Sequence, residues 1–293
     1  MDIVITYVDG RDPGWLADYA HYTDEPIETK RFRDWDTLPF LMRGIEKNLP
    51  FVENVFLVVA RESQVPSWVN RDRVRVVLHK DFVPEEYLPT FNCNTLEVFL
   101  HRIPGLGERF LYFNDDMFPM LPSKEEDFFP APGKVLIGFT RHLFRSGMFK
   151  RICSNSDALS RKALGMKPSV FFVRQQHICS PMLRSACEEL FARVEPDFLS
   201  SITRTRQACN INQYVFLDYL YFKGQVCRGT ISKRHFSVAT TSVGSLERFL
   251  RNPDRKFCCI NDVNLSDARF ETIRRSVLSA FSARYPEKSR YEL

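Results

Sequence analysis

The sequence contains no long hydrophobic run. None of its apolar stretches approaches the roughly 18 residues that a membrane-spanning helix requires. Residues 2–8 read directly as a strand and lack the basic start and apolar centre of a signal peptide. We therefore expect a soluble globular protein without a leader.

Cysteines are present, but the spacings that would give them a chemical role are absent. None of the eight cysteines lies in a CxxC pair, which excludes the usual zinc-ribbon and thioredoxin patterns. We expect most of them to be reduced and buried. Because disulfides are rare in the cytoplasm and no signal directs the chain elsewhere, a cytoplasmic location is the simplest interpretation.

The chain also lacks a long block of like charge. Its formal net charge of +5 is mild, and basic and acidic residues are mixed along the sequence. This mixture argues against a dedicated nucleic-acid-binding protein. A phosphorylated ligand or an anionic membrane surface would suit the charge equally well, so peripheral contact with a membrane stays open.

The first 140 residues alternate between strand and helix patterns. Strands are predicted at residues 3–8, 55–60, 74–78 and 110–113. One helix is predicted from Leu38 up to Pro50, capped by Asp36 or Thr37, and another at 95–102, capped by Asn94. This alternation predicts an α/β fold with a mostly parallel, Rossmann-like sheet.

The second half of the chain has a different pattern. Apolar residues recur at helical spacing in residues 181–193, 212–223 and 266–285, and strands are predicted at 135–139 and 170–173. No repeat, low-complexity tract or long linker separates the halves. We expect one catalytic domain over residues 1–293, with an α/β half at 1–140 and a helix-rich half at 141–293 that completes the active site.

Carboxylates follow the predicted strand in FLYFNDDMF, where an apolar run ends in Asn114, Asp115 and Asp116. Paired carboxylates at the end of a buried strand are costly unless a cation or hydrogen bonds compensate them. In an open α/β sheet, ligands bind beyond the carboxyl ends of the strands. The segment therefore indicates a metal site, and an Asn-Asp-Asp turn is about an equal alternative.

Two other segments have the same arrangement. Asp9 and Gly10 follow the first strand, as expected of a nucleotide-binding loop or of a plain Asp-Gly turn. FCCIND, which ends at Asp262, is again an apolar strand followed by Asn-Asp. Two strand ends that present the same pair favour a metal site over a turn.

Glu97 and His101 lie four residues apart and therefore share a helix face, where they could orient a ligand or form an ordinary surface pair. His177 lies between a strand-like run and a helix start, where it could reach a site or be structural. Arg204 and Arg206 flank Thr205, so alternation would place both guanidinium groups on one side of an extended segment. Such a pair could grip phosphate oxygens or could lie in a solvated loop.

Together these segments resemble the Stealth family of bacterial capsular-polysaccharide phosphotransferases, which also includes the α/β subunit of the lysosomal-enzyme GlcNAc-1-phosphotransferase. The family is described by four regions. DIVITYVDGRDP resembles the first, and the segments RFRDWDTLPFLMRGIEKNLPFVENVFLVV, QVPSWVN, LPTFNCNTLEVFLHRIPGL and FLYFNDDMF, within residues 31–118, resemble the second. The third is looser, with His177 and Pro181 in place of a His-x-Pro-like motif and TRTRQACNIN in place of its Arg-Phe-Arg segment. KFCCINDVN is similar to the fourth, and Tyr7 stands where the first region commonly has Trp.

The resemblance implies a GT-A-like fold and a sugar-1-phosphate transferase. Family members move a hexose- or N-acetylhexosamine-1-phosphate from a UDP-sugar such as UDP-GlcNAc to a hydroxyl group of an acceptor glycan, and release UMP. The implied partners are therefore a nucleotide-sugar donor and a glycan, with no nucleic acid, and the implied cofactor is Mg²⁺ or Mn²⁺.

The resemblance also implies roles for individual residues. Asp116 and Asp262 would bind the metal with support from Asp115 and Asn114, and His177 would be the general base. Arg206 and Arg204 would stabilise the phosphoryl oxygens, and Glu97 would orient the donor sugar or the metal shell. The nucleotide sugar would contact Thr6, Val8, Asp9, Gly10, Arg33 and Asn94.

Two other interpretations compete with this one. A conventional metal-dependent glycosyltransferase also uses strand-end carboxylates, but it releases UDP. A glycan-binding or assembly protein could keep the fold without catalysis, although it would not need a base, a metal site and an arginine together.

Overall fold

The structure is a computed structural model that describes all residues, Met1–Leu293. Twelve strands are present. They are β1 (Asp2–Thr6), β2 (Asn54–Val59), β3 (Val74–Leu78), β4 (Arg109–Asn114), β5 (Met117–Pro119), β6 (Val135–Ile137), β7 (Phe139–His142), β8 (Phe172–Gln175), β9 (Ser180–Leu183), β10 (Val226–Arg228), β11 (Lys233–Ser237) and β12 (Phe257–Asn261).

Nine α-helices and several short 3₁₀ turns connect the strands. The helices are α1 (Pro13–Tyr22), α2 (Thr29–Phe32), α3 (Leu38–Asn48), α4 (Cys93–Phe99), α5 (Gly147–Ala163), α6 (Arg184–Ser200), α7 (Tyr214–Phe222), α8 (Val243–Arg251) and α9 (Asp267–Arg284). None of them is both long enough and apolar enough to cross a membrane.

The main sheet has the strand order β3-β2-β1-β4-β9 and is mostly parallel. Its edge strand β9 runs antiparallel to β4, with Pro181 opposite Leu111. β2 and β4 are almost continuously apolar and buried, as expected of strands that are covered on both faces. The predicted fold class, an α/β fold with a mostly parallel, Rossmann-like sheet and helices, is confirmed.

Three small sheets accompany the main one. β12 lies between β11, to which it is parallel, and β5, to which it is antiparallel. β10 pairs with β6, and β7 pairs with β8. Because β5 follows β4 after only Asp115 and Asp116, these two residues lie between a strand of the main sheet and a strand of a small one.

The chain divides into two compact units, which are described separately below. The first unit contains Met1–Asp2, Val77–Tyr112 and Glu126–Thr230, and the second contains Ile3–Val76, Phe113–Glu125 and Ile231–Leu293. Each unit therefore draws on residues from before and after position 140. The prediction of one catalytic domain with halves at 1–140 and 141–293 stays a prediction.

Aromatic residues fill the core of each unit. In the first, Phe198 stacks on Phe191 and Phe216, with ring centroids 5.2 and 5.8 Å away. In the second, Phe281 contacts Phe40 and Phe118 at 5.5 and 4.7 Å. In the first unit this packing joins the successive helices α6 and α7, and in the second it joins α3, β5 and α9, which are far apart in the sequence.

Several predicted boundaries were wrong. The helix predicted at 181–193 begins at Arg184, because the preceding residues form the buried strand β9. The helix predicted at 95–102 is α4, and its cap is Asn92, whose side chain accepts a hydrogen bond from the backbone N–H of Asn94 at 3.1 Å. The strand predicted at 135–139 is divided between β6 and β7, and helices α1, α5 and α8 were not predicted.

Candidate active site

The turn after β1 in the second unit brings two segments of backbone close together. The N–H of Gly10 donates to the carbonyl of Phe32 at 3.0 Å. A Cβ atom at position 10 would lie 2.2 Å from that carbonyl oxygen, which explains why glycine is needed there. Asp12 then caps α1 by accepting from the N–H of Trp15 at 2.6 Å.

An arginine contacts three carboxylates beside this turn. Arg11 donates from Nε to Asp9 and from Nη2 to Asp34, at 3.0 Å in both cases. Asp34 also accepts from the hydroxyl of Tyr7 at 2.9 Å, and its neighbour Asp36 accepts from Arg11 at 3.4 Å. Asp9, which was predicted to contact the nucleotide, is thus half of an ion pair. Of the other residues predicted to contact the nucleotide, Thr6 lies at the end of β1 and Val8 lies just beyond it.

The turn between β4 and β5 carries the residues that were predicted to bind a metal. The backbone carbonyl of Asp116 accepts from the N–H of Ile260 at 2.9 Å, and its carboxylate accepts from the thiol of Cys259 at 3.2 Å. The side-chain oxygen of Asn114 is buried and has no hydrogen-bond partner. Burial, together with the negative charges of Asp116 and Asp34, raises the pKa of Asp115 to about 8.

These observations fit a divalent cation. An orphaned amide oxygen and two adjacent carboxylates are the hard oxygen donors that Mg²⁺ and Mn²⁺ prefer. A cation here would also offset the mutual repulsion of Asp115, Asp116 and Asp34. The side chains of Asn114, Asp115 and Asp116 therefore have a chemistry that a divalent cation would accept.

Asp262 has different surroundings. Its carboxylate accepts from Nε and Nη2 of Arg33 at 3.0 and 2.7 Å, from the indole N–H of Trp35 at 3.0 Å and from the N–H of Val263 at 2.7 Å. The guanidinium of Arg33 also lies 4.1 Å from the centre of the Phe270 ring. Since a carboxylate has about four acceptor positions, Asp262 is already saturated by protein donors.

A buried carboxylate is the centre of the candidate cluster in the first unit. Glu97 is 2% exposed and accepts from the side-chain amide of Asn94 at 3.0 Å, the hydroxyl of Tyr112 at 3.2 Å and the N–H of Gln213 at 3.2 Å. The side-chain amide of Gln213 also donates to it once its oxygen and nitrogen are exchanged. Burial raises the pKa of Glu97, and these donors and the charge of Arg206 oppose the rise.

Arg204 and Arg206, which were predicted to bind phosphate oxygens together, have different partners in the structure. Arg206 donates from Nη2 to the sulfur of Cys93, the first residue of α4, and interacts with the charge of Glu97. Arg204 instead donates to the backbone carbonyls of Leu88 and Pro89, at 2.9 Å each. The alternation of side chains along residues 204–206 therefore does not give a joint site. Only Arg206 lies with Glu97.

His177 precedes β9 and is half-buried. Its Nδ1 lies 3.4 Å from the hydroxyl of Tyr214, and its ring makes an edge contact with Phe149. His101, which the sequence places on the same helix face as Glu97, packs between Phe191 and Phe216, and its burial lowers its pKa to about 4. The Glu97–His101 pair is therefore neither a surface pair nor a joint ligand site.

The sequence analysis missed several polar partners in these clusters. Asp34 and Trp35 stand in the RFRDWD segment, so the density of charged and aromatic residues there was a usable signal. Nothing near Tyr112 or Gln213 in the sequence indicated that both would meet Glu97. The missed partners are Asp34, Trp35, Asn92, Cys93, Tyr112 and Gln213.

Comparison with known proteins identifies the family. The model of Stealth protein CR2, conserved region 2, matches residues 31–136. The capsular polysaccharide phosphotransferase eps5J of Streptococcus thermophilus is 34% identical over 187 residues, covering 59% of this chain and 78% of that protein. The chain belongs to the Stealth family.

Other Stealth proteins match over the whole chain. The receptor polysaccharide phosphotransferase WefC of Streptococcus oralis is 28% identical, and the alignment covers 100% of this chain and 99% of WefC. The exopolysaccharide phosphotransferase cps2G of Lactiplantibacillus plantarum is also 28% identical, with coverages of 100% and 96%. This Stealth protein is accordingly a transferase of the phosphotransferase type.

Two of the solved structures that resemble this chain are glycosyltransferases. The galactosyltransferase LgtC gives a TM-score of 0.41 at 15% identity, with 94% of this chain and 96% of LgtC covered. Mouse xyloside xylosyltransferase 1 gives 0.38 at 14% identity, with coverages of 80% and 88%. Both TM-scores are below 0.5, so nothing about the site or the reaction follows from either likeness.

Proposed function

We propose that the chain transfers a hexose- or N-acetylhexosamine-1-phosphate from a UDP-sugar, for example UDP-GlcNAc, to a hydroxyl group of an acceptor glycan. The acceptor oxygen forms a bond to the phosphorus that carries the sugar, the bond from that phosphorus to the bridging oxygen breaks, and UMP leaves. The product is a phosphodiester in a capsular polysaccharide or exopolysaccharide. Full-length similarity to polysaccharide phosphotransferases is the observation that carries this proposal.

Asn114, Asp115 and Asp116 would hold Mg²⁺ or Mn²⁺, which supplies positive charge to the diphosphate when bound. We assign Asp262 a structural role in place of the metal binding that the sequence predicted. Its acceptor positions are occupied by Arg33, Trp35 and Val263. Its ion pair with Arg33 would hold the end of β12 and the segment before α3, so that both residues support the nucleotide site indirectly.

Arg206 would stabilise the negative charge of the phosphoryl oxygens in the transition state. Glu97 would orient this guanidinium, because its buried carboxylate interacts with the positive charge of Arg206. Asn94 and Tyr112 in turn hold the two oxygens of Glu97. Arg204 would only position the loop before α4 through the carbonyls that it contacts.

His177 would accept the proton of the acceptor hydroxyl. The Tyr214 hydroxyl lies close enough to Nδ1 to orient the ring, and an oriented imidazole is an effective base near neutral pH. We place this reaction in the cytoplasm, at the inner face of the cell membrane. All eight cysteines are free, which agrees with a reducing compartment.

The leaving nucleotide tests the proposal. We would incubate the purified chain with UDP-sugars, an acceptor glycan and Mg²⁺ or Mn²⁺, and separate UMP from UDP by chromatography. Release of UMP in step with acceptor consumption would support sugar-phosphate transfer. UDP would instead indicate a conventional glycosyltransferase, and metal-dependent binding of the UDP-sugar with no product under any acceptor would indicate a binding protein.

A further inference from the structure

Exposed hydrophobic side chains are concentrated in one part of the first unit. The chain exposes ten large hydrophobic side chains, and seven of them lie within residues 143–171. Phe144 is 74% exposed, Val170 67% and Phe171 51%. Scattered single residues of this kind need no explanation, but a concentration marks an interaction surface.

Strand pairing brings these residues together in space. β7 and β8 are antiparallel, with His142 opposite Phe172. The segment that leaves β7 and the segment that enters β8 therefore emerge at the same end of this pair. Helix α5 begins in the same place, because the guanidinium of Arg174 in β8 lies 5.2 Å from the centre of the Phe149 ring. We call this surface the 143–171 surface. Its exposed apolar members are Leu143, Phe144, Met148, Phe149, Val170 and Phe171, whereas Met166 lies beyond the other end of α5.

The same region is strongly basic. Residues 141–174 contain eight Lys and Arg residues and one acidic residue, a formal charge of +7 compared with +5 for the entire chain. The single acid, Asp157, is buried and pairs with Arg161, and Lys162 pairs with Asp197. The other six basic side chains have no carboxylate at ion-pair distance. They are Arg141, Arg145, Lys150, Arg151, Lys167 and Arg174.

We propose that the 143–171 surface docks the protein on an anionic lipid bilayer, with its apolar side chains at the boundary between headgroups and acyl chains. Exposed apolar residues surrounded by uncompensated Lys and Arg are what a peripheral contact with anionic headgroups requires. The proposal does not depend on the reaction proposed above, and this surface adjoins the candidate active site through the edge contact of Phe149 with His177.

The chemistry of the side chains favours lipid over other polyanions. Nucleic-acid bases stack on aromatic rings, whereas aliphatic side chains such as Leu143, Met148 and Val170 cannot stack. The headgroup boundary of a bilayer accepts both kinds of apolar side chain, and its phosphates complement the charge.

Vesicle sedimentation tests the proposal with the full chain. We expect the protein to sediment with vesicles of equal parts phosphatidylcholine and phosphatidylglycerol, to stay in solution with phosphatidylcholine alone, and to bind less as salt is raised. Phe144→Ser with Phe171→Ser should weaken the partition coefficient at least tenfold. The matched control, Tyr22→Ser with Ile27→Ser, removes two exposed hydrophobic residues from the second unit and should leave the partition coefficient unchanged.

A charge-matched pair tests the basic residues. Arg145→Glu with Arg151→Glu should weaken binding at least fivefold, whereas Arg73→Glu with Arg269→Glu, which gives the same net charge elsewhere, should not. Since all three tryptophans lie outside residues 143–171, Phe144→Trp would report the contact by a blue shift in fluorescence on anionic vesicles.

Several results would overturn the assignment. The assignment would be wrong if the protein did not sediment with anionic vesicles or if it bound neutral vesicles equally well. It would also be wrong if the test and control variants lost the same amount of binding. Binding of single-stranded RNA in place of vesicles would show that the surface serves a different polyanion. Circular dichroism of each variant would establish that a loss of binding is not a loss of folding.

Discussion

Replacing Asp262 distinguishes a structural partner of Arg33 from a metal ligand. The side chains of Arg33 and Asp262 are only 9% and 10% exposed. In Asp262→Ala, the guanidinium would stay buried against Phe270 without its carboxylate. Removing one partner of a buried pair costs about 3–5 kcal/mol, a large part of the roughly 5–15 kcal/mol that stabilises a typical domain. We therefore expect a strongly destabilised protein, measured by urea unfolding.

Two further variants separate the ion pair from the loss of volume. Asp262→Asn keeps the size and one acceptor oxygen, so we expect a smaller loss of about 1–3 kcal/mol. Arg33→Leu removes the charge that needs the carboxylate. The double variant with Asp262→Ala should therefore be more stable than the sum of the single losses, by about 0.5–3 kcal/mol.

Ligand-dependent stability then tests the metal. Saturation with Mn²⁺ and UDP at about 100 times their dissociation constant would raise the free energy of unfolding by about 2.7 kcal/mol. We expect Asp262→Asn to keep this gain and Asp116→Asn to lose it. If Asp262→Asn matched the unchanged protein without ligand and lost the gain with ligand, Asp262 would be a metal ligand and the reasoning from its saturated hydrogen bonds would be wrong.

Two other replacements address the proposed base and an unused buried acid. His177→Ala should lower turnover by about 10²–10⁴-fold with donor binding kept, whereas the exposed His235→Ala should not; a fully active His177→Ala enzyme would remove the residue from the mechanism. Burial raises the pKa of Asp218 well above its ordinary 3.8, and Gln175 donates to its Oδ1 at 2.6 Å. The folded protein thus keeps a proton that the unfolded chain loses, so stability should fall as pH rises from about 4 towards the raised pKa. Asp218→Asn should reduce this slope, to which the raised pKa values of Asp115 and Glu97 also contribute, and add about 1 kcal/mol or more at neutral pH. Thermal unfolding over a pH series would show the change, and an unchanged slope would place the titration in other groups.

The buried strands were predictable because runs such as NVFLVV and RFLYFN have no polar face, whereas helix α5 was not. α5 buries Ser154, Ser156 and Ser160, and the hydroxyl of Ser160 donates to the carbonyl of Val215 at 2.7 Å. Because hydroxyl groups occupy much of its buried face, this helix has few large apolar side chains by which its buried face could be recognised in the sequence. Tertiary pairing with β4 likewise overrode the helical spacing of residues 181–183.

The candidate site shows the same limit. Strand ends and their acids could be located from the sequence, since an apolar run followed by Asn-Asp is a local pattern. The partners of those acids are set by contacts across the chain. Arg33 meets Asp262 over a separation of 229 residues, and Glu97 meets Gln213 over 116. No periodicity or spacing in one sequence encodes such pairs.

The order of segments in the second unit has a consequence for protein synthesis. This unit begins at Ile3 but receives β11, β12, α8 and α9 only from Ile231–Leu293. During translation, Arg33 therefore has no ion-pair partner until Asp262 has left the ribosome. By that time the first unit, which ends at Thr230, has already been synthesised. Nascent chains should gain protease resistance in the first unit before the second, and translation pauses near residue 230 would prolong the exposure of an unpaired β5.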